Sequence, residues 1–202
     1  MPASKALIGK MALAHCGINK DIRDVDNDRS NEAIQIRLFY DHIIDLLLET
    51  CEWSFAKTEE RLALSDATST QWAYAYVYPA DCKFAIRIQN PAARTEGSGQ
   101  KIPFEVVTNK GKDGKLILTD QAEAVLEYNM PVTNPALFST SFVQAASLGV
   151  GSHIATPLRV DPNIAKNLMN QFSNWLSEAV NFQQREQRED VDPVSEFERM
   201  RG

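Results

Sequence analysis

Cysteine is scarce in this chain and never paired. Cys16, Cys51 and Cys82 stand far apart in 202 residues, with no Cys-x-x-Cys among them. That spacing excludes a disulfide framework and a thiolate zinc site, and it reads as three reduced thiols. Histidine is equally sparse. His15, His42 and His153 fall one to a helical segment, without triad or metal-ligand spacing, so each reads as a packing or surface residue. A Gly-rich phosphate loop, HExxH and GxSxG are all missing, and with them the usual sequence signs of nucleotide, zinc-protease or serine-hydrolase chemistry. The expectation is therefore a protein that is not an enzyme and needs no cofactor or metal. Glu59-Glu60 offers a carboxylate pair of the kind glycosidases use, but a chain with 27 acidic residues holds many such pairs.

A basic excess is lacking too. Lys and Arg number 21 against 27 Asp and Glu, for a net charge of −6, which argues against a domain that grips nucleic acid by counterion release. No apolar run approaches a membrane span, and the opening "MPASKALIGKMALAHCG" is too short and too interrupted for a signal peptide. A soluble product made in the cytosol, with no membrane partner, is expected.

What is present is ordinary globular material, 44% apolar and 24% charged, enough for one domain or a domain carrying an insertion. A helix over 4–16 stops at Gly17. Asp28 or Ser30 can cap a second helix over 28–51, whose inner face is Ile36, Tyr40, Ile43 and Leu47. Opposite lie Asp41, Asp45, Glu49 and Glu52, an acidic stripe that reads first as a solvated face and second as a surface that repels a polyanion.

From 57 to 130 the apolar period falls to two, predicting a small, mostly antiparallel sheet of about five strands. Helices return after Asn134-Pro135 and Asp161-Pro162, each a capping side chain followed by proline at the first helical position. Phe138, Phe142, Ala145, Gly149 and Ser152 form a face shrinking from large to small, suited to core or subunit packing. The last helix, 162–189, repeats Ile164, Leu168, Phe172, Trp175, Ala179 and Phe182.

The fold class expected is α+β: an antiparallel helix bundle with an inserted, mostly antiparallel small β-sheet subdomain and a long C-terminal helix. Residues 1–56 and 131–189 make the helical bundle domain, 57–130 the inserted β-rich subdomain, and 190–202 a flexible C-terminal tail.

The stretch "STQWAYAYVYPADCKFAIRI" places Trp72, Tyr74, Tyr76 and Tyr78 at every second position. Such a row is either a stacking platform for sugars or bases or a set of cross-strand packing groups. Sheet or subunit packing is the favoured reading.

Taken in order, "CEWSFAKTEERLAL" (51–64), "QWAYAYVYPADCKFAIRI" (71–88), "KIPFEVV…GKLILTD" (101–120) and "YNMPVTNPALFSTSFVQAASLGVGSHIATPL" (128–158), followed by a long helix, resemble the tail tubular protein A family. That family is the head-to-tail adaptor, or connector, of short-tailed bacteriophages. The likeness runs from about residue 5 to 189; "LGVGSHIA" departs from the more Ala- and Leu-rich helix usual there.

The resemblance implies a structural virion protein of the viral tail, synthesised in the host bacterial cytoplasm. It implies a ring-shaped, dodecameric homo-oligomer that binds the portal protein above and a tubular protein B-like tail nozzle below. Double-stranded DNA passes through the ring during ejection without specific binding. On this reading Asp41, Asp45, Glu49 and Glu52 face the channel, and Phe197, Arg199, Met200 and Arg201 anchor the tail segment to the portal. The alternative is a tail-associated polysaccharide or peptidoglycan hydrolase whose aromatic row stacks sugars. A DNA-binding packaging factor is disfavoured by the acidic balance.

Overall fold

The computed structural model describes residues 3–89, 102–110 and 114–189. It is a mixed α+β structure of four helices and two three-stranded antiparallel sheets. Helix α1 (Lys5–His15) starts where Ser4 Oγ accepts the Leu7 N–H at 3.1 Å. It stops at Gly17, whose φ of 73° suits a residue without Cβ. There the Gly17 N–H donates to Ala14 O and the Ile18 N–H to Leu13 O, closing the last carbonyls. Helix α2 (Asn31–Thr50) is capped by Ser30, while Asp28 Oδ1 accepts the Ser30 N–H at 2.7 Å. The two capping candidates thus work in series.

Asn134-Pro135 opens only a single 3-10 turn, Pro135–Leu137. The following helix, α3 (Thr140–Ile154), begins later than the Asn-Pro signal suggested, because Ser139 takes the N-cap and Phe138 is extended. Helix α4 (Pro162–Glu189) starts as expected, with Asp161 accepting the Asn163 N–H at 2.7 Å.

α3 is the element against which α1, α2 and α4 all pack, and its small residues are why. A Cβ added to Gly151 would stand 3.2 Å from Ala12 O of α1. One added to Gly149 would stand 2.7 Å from Ile43 Cγ2 of α2 and 2.8 Å from the Phe172 ring of α4. The small-residue face is therefore packed against other helices of the same chain, as core. Gly149→Ala is expected to destabilise despite its helix propensity: the ~1 kcal/mol gained is smaller than the roughly 1–3 kcal/mol of overpacking. Thermal unfolding with an unchanged or raised midpoint would show that α3 is loosely held.

On α4, Leu168 and Phe172 are buried as expected, but Ile164 is 39% exposed and Ala165 packs inward instead. One residue is about 100° of helix, so the stripe expected from Ile164 onward begins one position late.

Among the described residues the middle of the chain has six strands, not five, and they form two sheets, not one. They are β1 (Lys57–Arg61), β2 (Tyr74–Val77), β3 (Phe84–Ile88), β4 (Phe104–Thr108), β5 (Lys115–Thr119) and β6 (Val125–Asn129), ordered β1-β6-β3 and β2-β5-β4. The unexpected strand, β1, is "KTEER", a charged strand at the sheet margin with no apolar face to give it a period. Single bridges, Ile88 with Ile102 and Leu64 with Tyr76, join the two sheets at both margins. Pairing therefore runs almost fully around a small ring of strands that encloses a second core of Leu62, Tyr76, Ile88, Ile117, Ala124, Leu126 and Tyr128.

Asn129, at the end of β6 and fully buried, fastens this unit to the helices. Its Nδ2 donates to Leu48 O at 2.9 Å and to Cys51 O at 2.7 Å, and its Oδ1 accepts the Trp53 N–H at 3.2 Å.

Candidate functional site

The aromatic row splits on folding. Trp72 lies before β2 and donates from Nε1 to Glu105 Oε2 at 3.3 Å. Tyr74 and Tyr76 face the enclosed core with ring centroids 6.1 Å apart. The Tyr76 hydroxyl donates to Gln121 O at 2.9 Å. Tyr78 packs at the margin of the same core, and its hydroxyl accepts from the Cys82 thiol at 3.0 Å. These four rings are knit into the sheets and leave no continuous open face for stacking.

The acidic stripe of α2 is likewise divided. Asp45 pairs with Lys83 at 3.0 Å and Glu52 with Lys57 at 2.5 Å. Asp41 and Glu49 are exposed and have no ion-pair partner among the described residues. Sequence spacing found the stripe; the two lysines from the sheet unit were not legible from it. Phe197, Arg199, Met200 and Arg201 lie outside the described residues.

Glu59 and Glu60, as neighbours on β1, project to opposite faces. Glu59 accepts from the Gln89 amide, and Glu60 Oε2 lies 3.1 Å from the Tyr128 hydroxyl, which also lies 3.0 Å from Asp81 Oδ1. They do not flank a common space. Two of the three histidines are similarly occupied. His15 Nε2 lies 3.2 Å from Ser147 Oγ, and burial lowers its pKa. His153 Nδ1 lies 2.8 Å from Gly149 O. Burial pushes the thiols of Cys16 and Cys51 up to about 11, so neither is a thiolate at neutral pH. Among the described residues no group of His, Cys, Asp and Glu is arranged to hold a metal ion.

Glu127 on β6, 7% exposed, is gripped by Arg87 Nε at 2.8 Å and by Lys57 Nζ. Burial alone would raise its pKa, but the Lys57 and Arg87 hydrogen bonds outweigh it and the net shift is downward. Such a carboxylate adds stability that is present above its unfolded value, roughly 4.3, and is lost as pH falls through the lower folded value. Asp21, Asp24, Asp28 and Glu32 are also held down, chiefly by Lys10, Asn27, Ser30 and Lys20 respectively. The comparison that isolates Glu127 is therefore Glu127→Gln. Below pH 4.5 its stability should fall less steeply than that of the parent chain, by up to about one proton's slope. Parallel acid limbs in urea titrations would contradict the assignment.

A groove of about 640 Å³ lies between the start of α1, the middle of α2 and the segment from Pro131 to Phe138. Tyr40 forms part of its wall. The Tyr40 side chain is 6% exposed, and its hydroxyl has no hydrogen-bond partner among the described residues. Burial, then the charges of Asp41 and Asp26, keeps that hydroxyl protonated. Lys5 Nζ lies 5.1 Å over the same ring and 2.6 Å from Asp26 Oδ1. Sequence reasoning placed Tyr40 on the core face and missed the groove, whose walls come from distant segments.

Compared with known proteins, the chain matches no family model and no curated protein.

Proposed function

We propose that the protein is a structural head-to-tail adaptor of a short-tailed bacteriophage, joining the portal to the tail nozzle as a ring and forming part of the channel for DNA ejection. The observation that carries this reading is the ordered set of motifs from "CEWSFA" to "GVGSHIATPL". Its physical support is that the motif residues serve packing. Trp53 stacks on Trp175 with ring centroids 5.9 Å apart and planes within 3°. Tyr76 fills the sheet core, Asp81 holds the Tyr128 hydroxyl, and Gly149 lets three helices meet. A framework of this kind suits a subunit whose work is to hold shape.

In its finer form the reading takes the helical part as an antiparallel bundle from which the C-terminal end of α4 extends, and the ring of strands as an inserted subdomain. A dodecamer of an acidic chain repels DNA and lets it slide. Glu49 is the stripe carboxylate left for a channel wall, since Asp45 and Glu52 are ion-paired and Asp41 lines the groove. Within the same reading, Phe197, Arg199, Met200 and Arg201 bind the portal.

The test is to mix the purified chain with the cognate portal protein and image the product by electron microscopy. A second ring stacked coaxially on the portal is expected. Portal rings without added density at any salt concentration would refute the proposal.

A further inference from the structure

The sheet unit and the helices have separate interiors. Among the described residues their two buried cores have no residue in common. A junction without a large apolar interface leaves relative motion as the ordinary expectation. The two chain passages between the units are bridged where the Met130 N–H donates to Ala56 O at 2.8 Å. Beside them the junction is polar, and it is arranged around Asn129. That residue ends the central strand of the order β1-β6-β3. Lys57 of β1 is its cross-strand partner on one side. On the other side Phe84 of β3 pairs with it, and the Lys83 N–H donates to Asn129 O at 2.9 Å. Each flank thus carries a lysine, and each lysine is tied to a carboxylate of the α2 stripe. Lys83 reaches Asp45, within the helix, at 3.0 Å, and Lys57 reaches Glu52, just past its end, at 2.5 Å.

We propose that the sheet unit rocks about Asn129 and that the Asp45–Lys83 ion pair is the latch that fixes its angle. The bonds from Asn129 to Leu48 O, Cys51 O and the Trp53 N–H converge on one side chain. They fix a point of attachment, and a point leaves the tilt to the contacts on either side of it.

The two lysine stays are unequal. Lys57 also binds the buried Glu127, which Arg87 grips in turn, so that stay belongs to a network. Lys83 has Asp45 as its ion-pair partner among the described residues, and the Asp45 side chain is half exposed. A pair so open to water is screened by salt and biases an equilibrium only about 1.5- to 5-fold. That is enough to set a resting angle and weak enough for a competing charge to release it. The latch is therefore the Lys83 side, and the Lys57 side stays with the pivot. The inference concerns motion within one chain and does not rest on the adaptor reading.

The experiment is measurement of backbone residual dipolar couplings on the full chain, aligned in an uncharged alkyl-polyethylene glycol medium at low salt. In the parent chain the helices and the strands should fit one alignment tensor. Lys83→Glu sets two carboxylates face to face, and the two units should then each need a tensor of their own. Reversing both partners, Lys83→Glu with Asp45→Lys, should restore the single tensor. The parent chain in about 1 M salt, where the screening length is about 3 Å, should behave as Lys83→Glu does. Lys83→Gln removes the attraction without adding repulsion, so it should separate the tensors less and serves if Lys83→Glu fails to fold.

The proposal is overturned by a parent chain that already needs two tensors at low salt, since no latch would then be holding. A folded Lys83 variant that keeps the single parental tensor overturns it too, because the angle would be set elsewhere. So does a double reversal that fails to bring the units back to one tensor.

Discussion

Asn129→Ala should lower the stability of the chain by about 3–5 kcal/mol, the largest effect expected of any single polar substitution here. Asn129 is 0% exposed, and its amide group uses both ends. The reason lies in how α2 finishes. Cys51, its C-cap, is extended at φ −155°, and no basic residue stands in the last turn. The closing carbonyls of Leu48 and Cys51 are instead met by Asn129 Nδ2. A single side chain from β6 thus caps a helix formed some 80 residues earlier in the chain, and the same amide oxygen holds the Trp53 N–H.

Truncation leaves one N–H and two carbonyls unpaired in a closed interior, at roughly 1–3 kcal/mol for each unsatisfied group. For a chain of this length each kcal/mol moves the midpoint by about 2–4 °C, so calorimetry should register a fall on the order of 10 °C. Asn129→Asp should be no milder, because it turns a carboxylate toward two carbonyl oxygens. A loss below about 1 kcal/mol in Asn129→Ala would mean that the two units are fastened elsewhere.

Trp53→Ala should cost about 3–5 kcal/mol. Trp53 is 8% exposed and sits where the helical core meets the sheet unit. Its ring meets Phe142 edge-on at 4.8 Å, stacks on Trp175 at 5.9 Å and donates from Nε1 to Leu47 O at 2.7 Å. Removing it opens a cavity bordered by α2, α3 and α4 at once, which a rigid neighbourhood cannot refill. Trp53→Phe, which keeps a ring and loses the N–H bond, should cost clearly less. The Trp175 emission should shift to longer wavelength in Trp53→Ala as water reaches its exposed face. Unchanged emission together with a small stability loss would remove Trp53 from its central place.

Much of the helical framework was legible in the sequence because helix ends are local events. Ser30, Gly17 and Asp161 each act on backbone groups within a few residues, and each stands at the helix boundary it announced. Where boundaries were misread, a second signal competed. Asn134-Pro135 is a sound start, but Ser139 is a better cap with Phe142 to follow.

β1 escaped because "KTEER" carries no apolar alternation; its pairing with β6 is fixed by the ladder and by Lys57 and Glu127, not by a buried face. The division into two sheets depends on which strands pair, a long-range choice that alternation within each strand does not encode. The small face of α3 was recognisable as a place of close approach. What it approaches, Ala12, Ile43 and Phe172 of its own chain, was not. The groove at Tyr40 left no signal at all, since its walls are brought together only by folding.

The adaptor reading stands or falls on assembly, and the most direct measurement is the mass of the complex by light scattering on a size-exclusion column, with and without the cognate portal protein. The account predicts a new species in which a dodecameric ring of this chain joins the portal, whatever the state of the free chain. A chain that elutes apart from the portal across a range of salt, with both masses unchanged, would contradict it.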